Sequence, residues 1–201
     1  MKILLTGFEP FLELKSNPTE VIVKRLNGAH INDKQVIGQV LPVDFARTGD
    51  VLIEAIKLYQ PDVVLSLGLA FGRTCMTPER IAINCIDGEK DNAGNAYQDK
   101  RIITDGADGY FSTLPIRRFV EALGKANLPA KISNTAGTYL CNLTMYHALH
   151  YAKVKHLDYR SGFVHIPASH QLAIEKPTIA SWSLADLQAG VELMIDQLAE
   201  Q

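Results

Sequence analysis

The chain has 201 residues, enough for one sizeable core, with 47% hydrophobic and 21% charged side chains and a formal net charge of −2. That balance offers no basic stripe for nucleic acid or an anionic membrane, and no apolar run approaches the roughly 18–20 residues of a membrane span. The run that opens MKILLTGFEPF stops at Thr6 and Gly7, too soon for a signal-peptide core, and three cysteines without a CxxC pair indicate neither a disulfide framework nor a zinc ribbon, so a cytoplasmic location is expected.

Residues Lys2–Leu5 are apolar and predict a first strand, ended by Gly7. In SNPTEVIVKRLNG, Asn17 is placed as an N-cap, Pro18 as the first helical residue and Glu20 as the third, and Gly28 closes a helix. Gln35–Leu41 alternates like a strand. Asp44–Gln60 carries Val51, Leu52, Ala55, Ile56 and Tyr59 at helical spacing, and Pro61 stops it. Asp62–Leu67 is a strand-length apolar run, and Arg80–Ile86 alternates again. Residues 87–108 are rich in Gly, Asp and Asn and predict a long loop, a kind of segment that is usually functional or disordered. Pro115–Asn127 predicts a helix, Ala130–Asn134 a strand, Cys141–Ala152 a helix and Gly162–Ile166 a strand. The closing SLADLQAGVELMIDQLAE is an amphipathic helix, with Ser183 and Asp186 as a capping box and Trp182 and Leu187 as a hydrophobic staple.

Strands and helices alternate nearly throughout, without repeat or linker. The expected fold is a single α/β domain over residues 1–201, a three-layer α/β/α arrangement with a central mixed, largely parallel sheet. Working residues in such sheets lie beyond the carboxyl ends of the strands. The segments to search follow Leu5, Leu67, Ile86, Asn134 and His165.

Cys141 falls within the first turn of its helix, where free backbone N–H groups and the dipole favour a thiolate. The competing reading is a small buried hydrophobe. A thiolate needs a base, and six histidines are available. His147 lies six residues from Cys141 on the same helix and points to a different face. His147 and His150 have metal-pair spacing but no third ligand in a recognisable pattern. His165, in GFVHIP, sits at the carboxyl end of an apolar strand, where an α/β fold mounts a catalytic side chain, or else it is a core-edge histidine satisfied by backbone. Glu79, in TPERIAIN, is either the carboxylate that orients an imidazole or half of an ion pair with Arg80. Phe8 and Phe11 flank Pro10 after the first strand and either grip a flat ligand or plug the core. LGLAFGR lacks the Lys-Ser/Thr of a phosphate loop and does not match a dinucleotide fingerprint.

Taken together, TGFEPF, GLAFGRTCMTPERIAIN, SNTAGTYLCN and GFVHIP, in that order, resemble the blocks of the pyroglutamyl peptidase I family, the pyrrolidone-carboxylate peptidases. The likeness runs from about residue 3 to 170. It implies a cysteine peptidase that removes an N-terminal pyroglutamyl residue from peptides through a thioester, with Cys141 as nucleophile, His165 as base and Glu79 as the orienting group. It further implies that Phe8 and Phe11 contribute to an apolar pocket and that Asn17 and the backbone near Leu69 help to bind the lactam. Asn17 keeps its alternative as a helix cap. The Cys141 N–H would serve the oxyanion. No metal or organic cofactor is implied, and homo-oligomers (dimer or tetramer) are.

Two departures stand out. The family's D-A-R-I-P-D-N-like run is here DGEKDN, residues 87–92, one residue shorter. Its Arg, thought to act near the oxyanion, is replaced by Glu89 or, with the gap shifted, by Lys90, a candidate for oxyanion support. The usual pair of glycines before Arg73 becomes Phe71-Gly72. A non-catalytic small-molecule or peptide-binding protein on the same scaffold is the alternative that DGEKDN favours, and a hydrolase of another small amide or thioester is a third.

Overall fold

A computed structural model describes residues 1–11 and 14–199. Its first strand, β1 (Lys2–Phe8), outruns the apolar Lys2–Leu5 because it is paired on both sides. β3 (Lys34–Leu41) runs parallel to it from Lys2↔Gln35 to Phe8↔Leu41, and β4 (Val63–Leu69) runs parallel on its other side. β8 (Arg160–Ile166) continues parallel beyond β4. Short antiparallel strands, β2 (His30–Ile31) and β5 (Thr77–Pro78), close the two edges and give the order β2-β3-β1-β4-β8-β5. The sheet is mixed and largely parallel, as expected. β4 is buried along its whole length, which is why it reads as an apolar run rather than as an alternation.

Period-two side-chain alternation divides the sheet between two cores. Ile3, Leu5, Leu65, Val164 and Ile166 pack with Ile22 of α1 (Pro18–Leu26), Phe119 and Leu123 of α3 (Ile116–Lys125) and Val191 of α6 (Leu184–Asp196). Leu4, Val64 and Phe163 pack with Leu52 and Ile56 of α2 (Thr48–Tyr59) and Leu143 and Tyr146 of α4 (Leu140–Lys155). Helices therefore cover both faces. Two small ribbons complete the described elements: β6 (Ile81–Ile83) pairs antiparallel with β7 (Gly109–Phe111), and β9 (Ala168–Ser169) pairs parallel with β10 (Ser181–Trp182) around α5 (His170–Glu175).

Local signals hold where the bonds are local. The Asn17 carboxamide accepts the Thr19 N–H at the start of α1. Ser183 accepts the Asp186 N–H at the start of α6, although the Asp186 carboxylate meets the Ser183 hydroxyl, at 2.7 Å. Three expectations need correction. α2 begins at Thr48 rather than near Asp44, because the Asp44 carboxylate accepts the Ala46 N–H and folds the preceding residues into a turn. The predicted strand 130–134 makes only isolated parallel bridges, Met76↔Ala130 and Glu79↔Ser133; Pro78 between them has no N–H to continue the ladder. Of Arg80–Ile86 only Ile81–Ile83 is strand, and it leaves the main sheet for β7.

The long loop after Ile86 contains no named element before β7, yet it is held by its own side chains. Asp91 accepts the N–H groups of Phe45 (2.8 Å), Ala93 (3.0 Å) and Asn95 (2.8 Å), and Asn92 donates to Glu9 Oε1 and to the Pro10 carbonyl. The last two residues of DGEKDN thus tie the loop to the segments that follow β1 and β3.

Candidate active site

Strand ends and one helix start converge on a cavity of about 250 Å³ beyond the carboxyl ends of β1, β4 and β8. Its described lining is Phe8, Phe11, Asn17, Val43, Leu69, Ala70, Phe71, Ala136, Tyr139, Leu140, Cys141 and His165. A larger cleft of about 770 Å³ lies at the opposite ends of the strands, by Met1, Asp62 and Arg160. It holds none of the nominated residues.

β8 alternates, so His165 shares the α4 face with Phe163, and the two rings sit 5.0 Å apart. In register, His165 stands opposite Gly68 on β4 and Thr77 on β5. Cys141 is the second residue of α4, whose N-cap, Tyr139, supplies no side-chain hydrogen bond. The first-turn N–H groups of this helix thus have no capping side chain. The approach of Cys141 to the sheet requires glycine at position 68. A Cβ there would lie 2.7 Å from the Phe163 ring and 2.8 Å from Cys141 Sγ.

Behind the imidazole lies Glu79, fully buried, whose Oε1 meets His165 Nδ1 at 2.7 Å. The expected rival for Glu79, Arg80, turns away instead and donates to Asn134 Oδ1 at 2.7 Å. The cation that does reach Glu79 is Arg73, whose Nη1 donates to Oε1 at 2.6 Å. Nothing in the sequence marked Arg73 for this contact, because the chain reverses between it and Glu79.

Burial favours the neutral form of both Cys141 and His165. Burial pushes the Cys141 thiol up to about 12, and the Glu79 carboxylate adds to the rise, against Arg73 and the backbone N–H. The helix-start N–H thus pulls toward the thiolate while burial pulls the other way. Burial also lowers the His165 imidazole below its ordinary value, opposed by its hydrogen bond to Glu79.

The other nominated residues divide. Phe8 packs in the core, its ring 6.4 Å from that of Phe163, and also walls the cavity. Phe11 meets Phe71 at 6.2 Å on the rim. Asn17 caps α1 and lines the cavity; its Oδ1 accepts from Thr19 while Nδ2 donates to the Glu9 carbonyl at 3.1 Å, and its second amide N–H has no partner among the described residues. Leu69 lines the cavity at the end of β4. Lys90 is exposed and is not among the described lining residues; its carbonyl accepts the Tyr139 hydroxyl at 3.0 Å. Tyr139, which sequence reasoning passed over, forms a cavity wall and packs edge-on to Phe45. His147 and His150 make no metal pair. His150 Nδ1 meets the Tyr110 hydroxyl, His147 packs on Gly49, and no cluster of three metal-ligating side chains occurs among the described residues.

Comparison with known proteins places the chain in a family. The sequence pattern of the pyroglutamyl peptidase family matches residues 1–201. A pyrrolidone-carboxylate peptidase of Oceanobacillus iheyensis is 55% identical over 194 residues, 96% of this chain and 97% of the relative. One from Halalkalibacterium halodurans is 48% identical over 197 residues, 98% of each. The crystal structure of a mutant pyrrolidone carboxyl peptidase from Pyrococcus furiosus superposes with a TM-score of 0.95 at 41% identity, covering 98% of this chain and 97% of that one. With the family pattern over its whole length and its fold in common with these proteins, the chain belongs to the pyroglutamyl peptidase family.

Proposed function

We propose that this protein is a cysteine peptidase that hydrolyses the bond after an N-terminal pyroglutamyl residue, with Cys141 as nucleophile, His165 as general base and Glu79 as its orienting carboxylate. The observation that carries the reading is the 2.7 Å bond from buried Glu79 to an imidazole that shares one apolar cavity with Cys141. A pyroglutamyl lactam is neutral and flat and presents one N–H and one C=O. Phe8, Phe11, Val43, Leu69 and Phe71 offer it apolar contact, and the second amide N–H of Asn17 suits its carbonyl.

Because burial favours the neutral form of both thiol and imidazole, proton transfer accompanies attack. His165 Nε2 takes the thiol proton as Sγ bonds to the scissile carbonyl carbon. The developing oxyanion is met by the Cys141 N–H at the uncapped start of α4. The Glu79 carboxylate stabilises the imidazolium, which then protonates the leaving amine, and a thioester remains. His165 next takes a proton from water, and the resulting attack releases pyroglutamate and the thiol. No step calls on a metal or organic cofactor. Lys90 contributes through its carbonyl, which fixes Tyr139 as a wall. A reducing cytoplasm and a homo-oligomer, dimer or tetramer, complete the reading; the three free cysteines support the first. Among the described residues no helix is long and apolar enough to cross a membrane.

The test is release of a chromophoric amine from a pyroglutamyl amide. Cys141→Ser is expected to lower kcat by about 10³-fold or more, and iodoacetamide to abolish wild-type turnover. Equal rates in all samples would remove the thiol mechanism, and no turnover of any pyroglutamyl substrate would leave a binding protein.

A further inference from the structure

Arg73 takes no part in the steps above, yet its guanidinium shares an oxygen with the imidazole. Its Nη1 donates to Glu79 Oε1 at 2.6 Å, the oxygen that His165 Nδ1 meets at 2.7 Å. The same nitrogen donates to Thr77 Oγ1, and the Thr77 hydroxyl turns to the His165 carbonyl at 3.4 Å. One guanidinium therefore holds both the carboxylate and the strand flanking the imidazole. Glu79 is fully buried, and its second oxygen, Oε2, has no hydrogen-bond partner among the described residues. Such a carboxylate stays ionised only while a positive charge compensates it. Arg73 supplies a fixed charge; without it, the compensating charge must come from the imidazole.

We infer that Arg73 is a positioning residue for the reaction: it keeps Glu79 an ionised acceptor in one orientation and so leaves His165 Nε2 without a proton, ready to receive that of Cys141. This rests on the Cys141–His165–Glu79 reading. Among the described residues, the charged or titratable groups that face His165 are Glu79 beyond β5, Arg73 from the β4–β5 connection, and Cys141 and Tyr139 at the start of α4. Arg80, beside Glu79 in sequence, is engaged with Asn134. The Arg73 side chain is 27% exposed, so its replacement opens no deep void.

The experiment measures kcat/KM against pH, with thermal melts, for wild type, Arg73→Gln, Arg73→Lys, His165→Gln and Cys141→Ser. Arg73→Gln is expected to move the acid limb up by about one pH unit, since a cation about this close withholds a proton from the imidazole. Its kcat/KM then falls most on the acid side, by up to about tenfold below the wild-type limb, and little near pH 8. Arg73→Lys keeps the charge, and because both contacts come from the single nitrogen Nη1, an ammonium is expected to keep the limb. An acid limb unmoved in Arg73→Gln overturns the proposal, as does a pH-independent loss that follows a lowered Tm. Should Arg73→Gln fail to fold, the Glu79→Gln background removes the buried charge. There Arg73→Gln is expected to cost nothing further, and an additive loss overturns the role. Wild-type turnover in His165→Gln or Cys141→Ser would instead refute the triad, an outcome that the Arg73 variants cannot imitate.

Discussion

Replacing Gly68 by alanine would probe the contact that brings helix α4 onto the sheet. The added Cβ would lie 2.7 Å from the Phe163 ring and 2.8 Å from Cys141 Sγ, where ordinary contact begins near 3.4 Å. Something must move by about 0.6 Å or more, and Phe163 is fully buried beside His165, so the thiol and the start of α4 are the parts able to yield. Overpacking of this kind costs about 1–3 kcal/mol, and a chain of this size loses about 2–4 °C of Tm per kcal/mol. Displacing a nucleophile by about 1 Å costs about 10²-fold in rate, so kcat for a pyroglutamyl amide is expected to fall by about 10- to 100-fold. Gly124, on α3, is the control, because a Cβ there meets nothing within 4 Å. Gly124→Ala is expected to keep full activity with an equal or higher Tm. If Gly68→Ala matches wild type in both kcat and Tm, the close approach of Cys141 to β4 is not what the structure describes.

A neutral resting state has its own signature in alkylation. With the Cys141 thiol pushed up to about 12, inactivation by iodoacetamide without substrate should rise about tenfold per pH unit from pH 7 to 9; a rate flat across that range would mean a preformed thiolate–imidazolium pair. His147 bears on stability rather than catalysis. Burial lowers it to about 4, so between that value and the ordinary 6.5 the unfolded chain binds more protons than the folded one. Stability is therefore full above about pH 6.5 and falls as pH drops toward 4, by at most about 3 kcal/mol from this residue. His147→Gln should flatten the acid side of a urea-melt series, and an unchanged series would show that the imidazole is not held neutral.

Much of this molecule is legible from residues close together in the chain. Asn17 and Thr19 start α1, Ser183 and Asp186 start α6, and the apolar runs of β1, β4 and β8 follow from burial on two faces. The rule that working residues follow strand ends brought Cys141, His165 and Glu79 forward, and the order of four short blocks supplied the family. Tertiary structure decided the rest, for physical reasons. The Glu79–His165 bond joins residues 86 apart, a distance in sequence that no local propensity spans. Glu79 could have paired with its neighbour Arg80, and only the reversal of the chain before β5 delivers Arg73 instead. A helix start argues for a thiolate at Cys141, but burial pushes the thiol the other way, and burial is settled by what the rest of the chain places around the thiol.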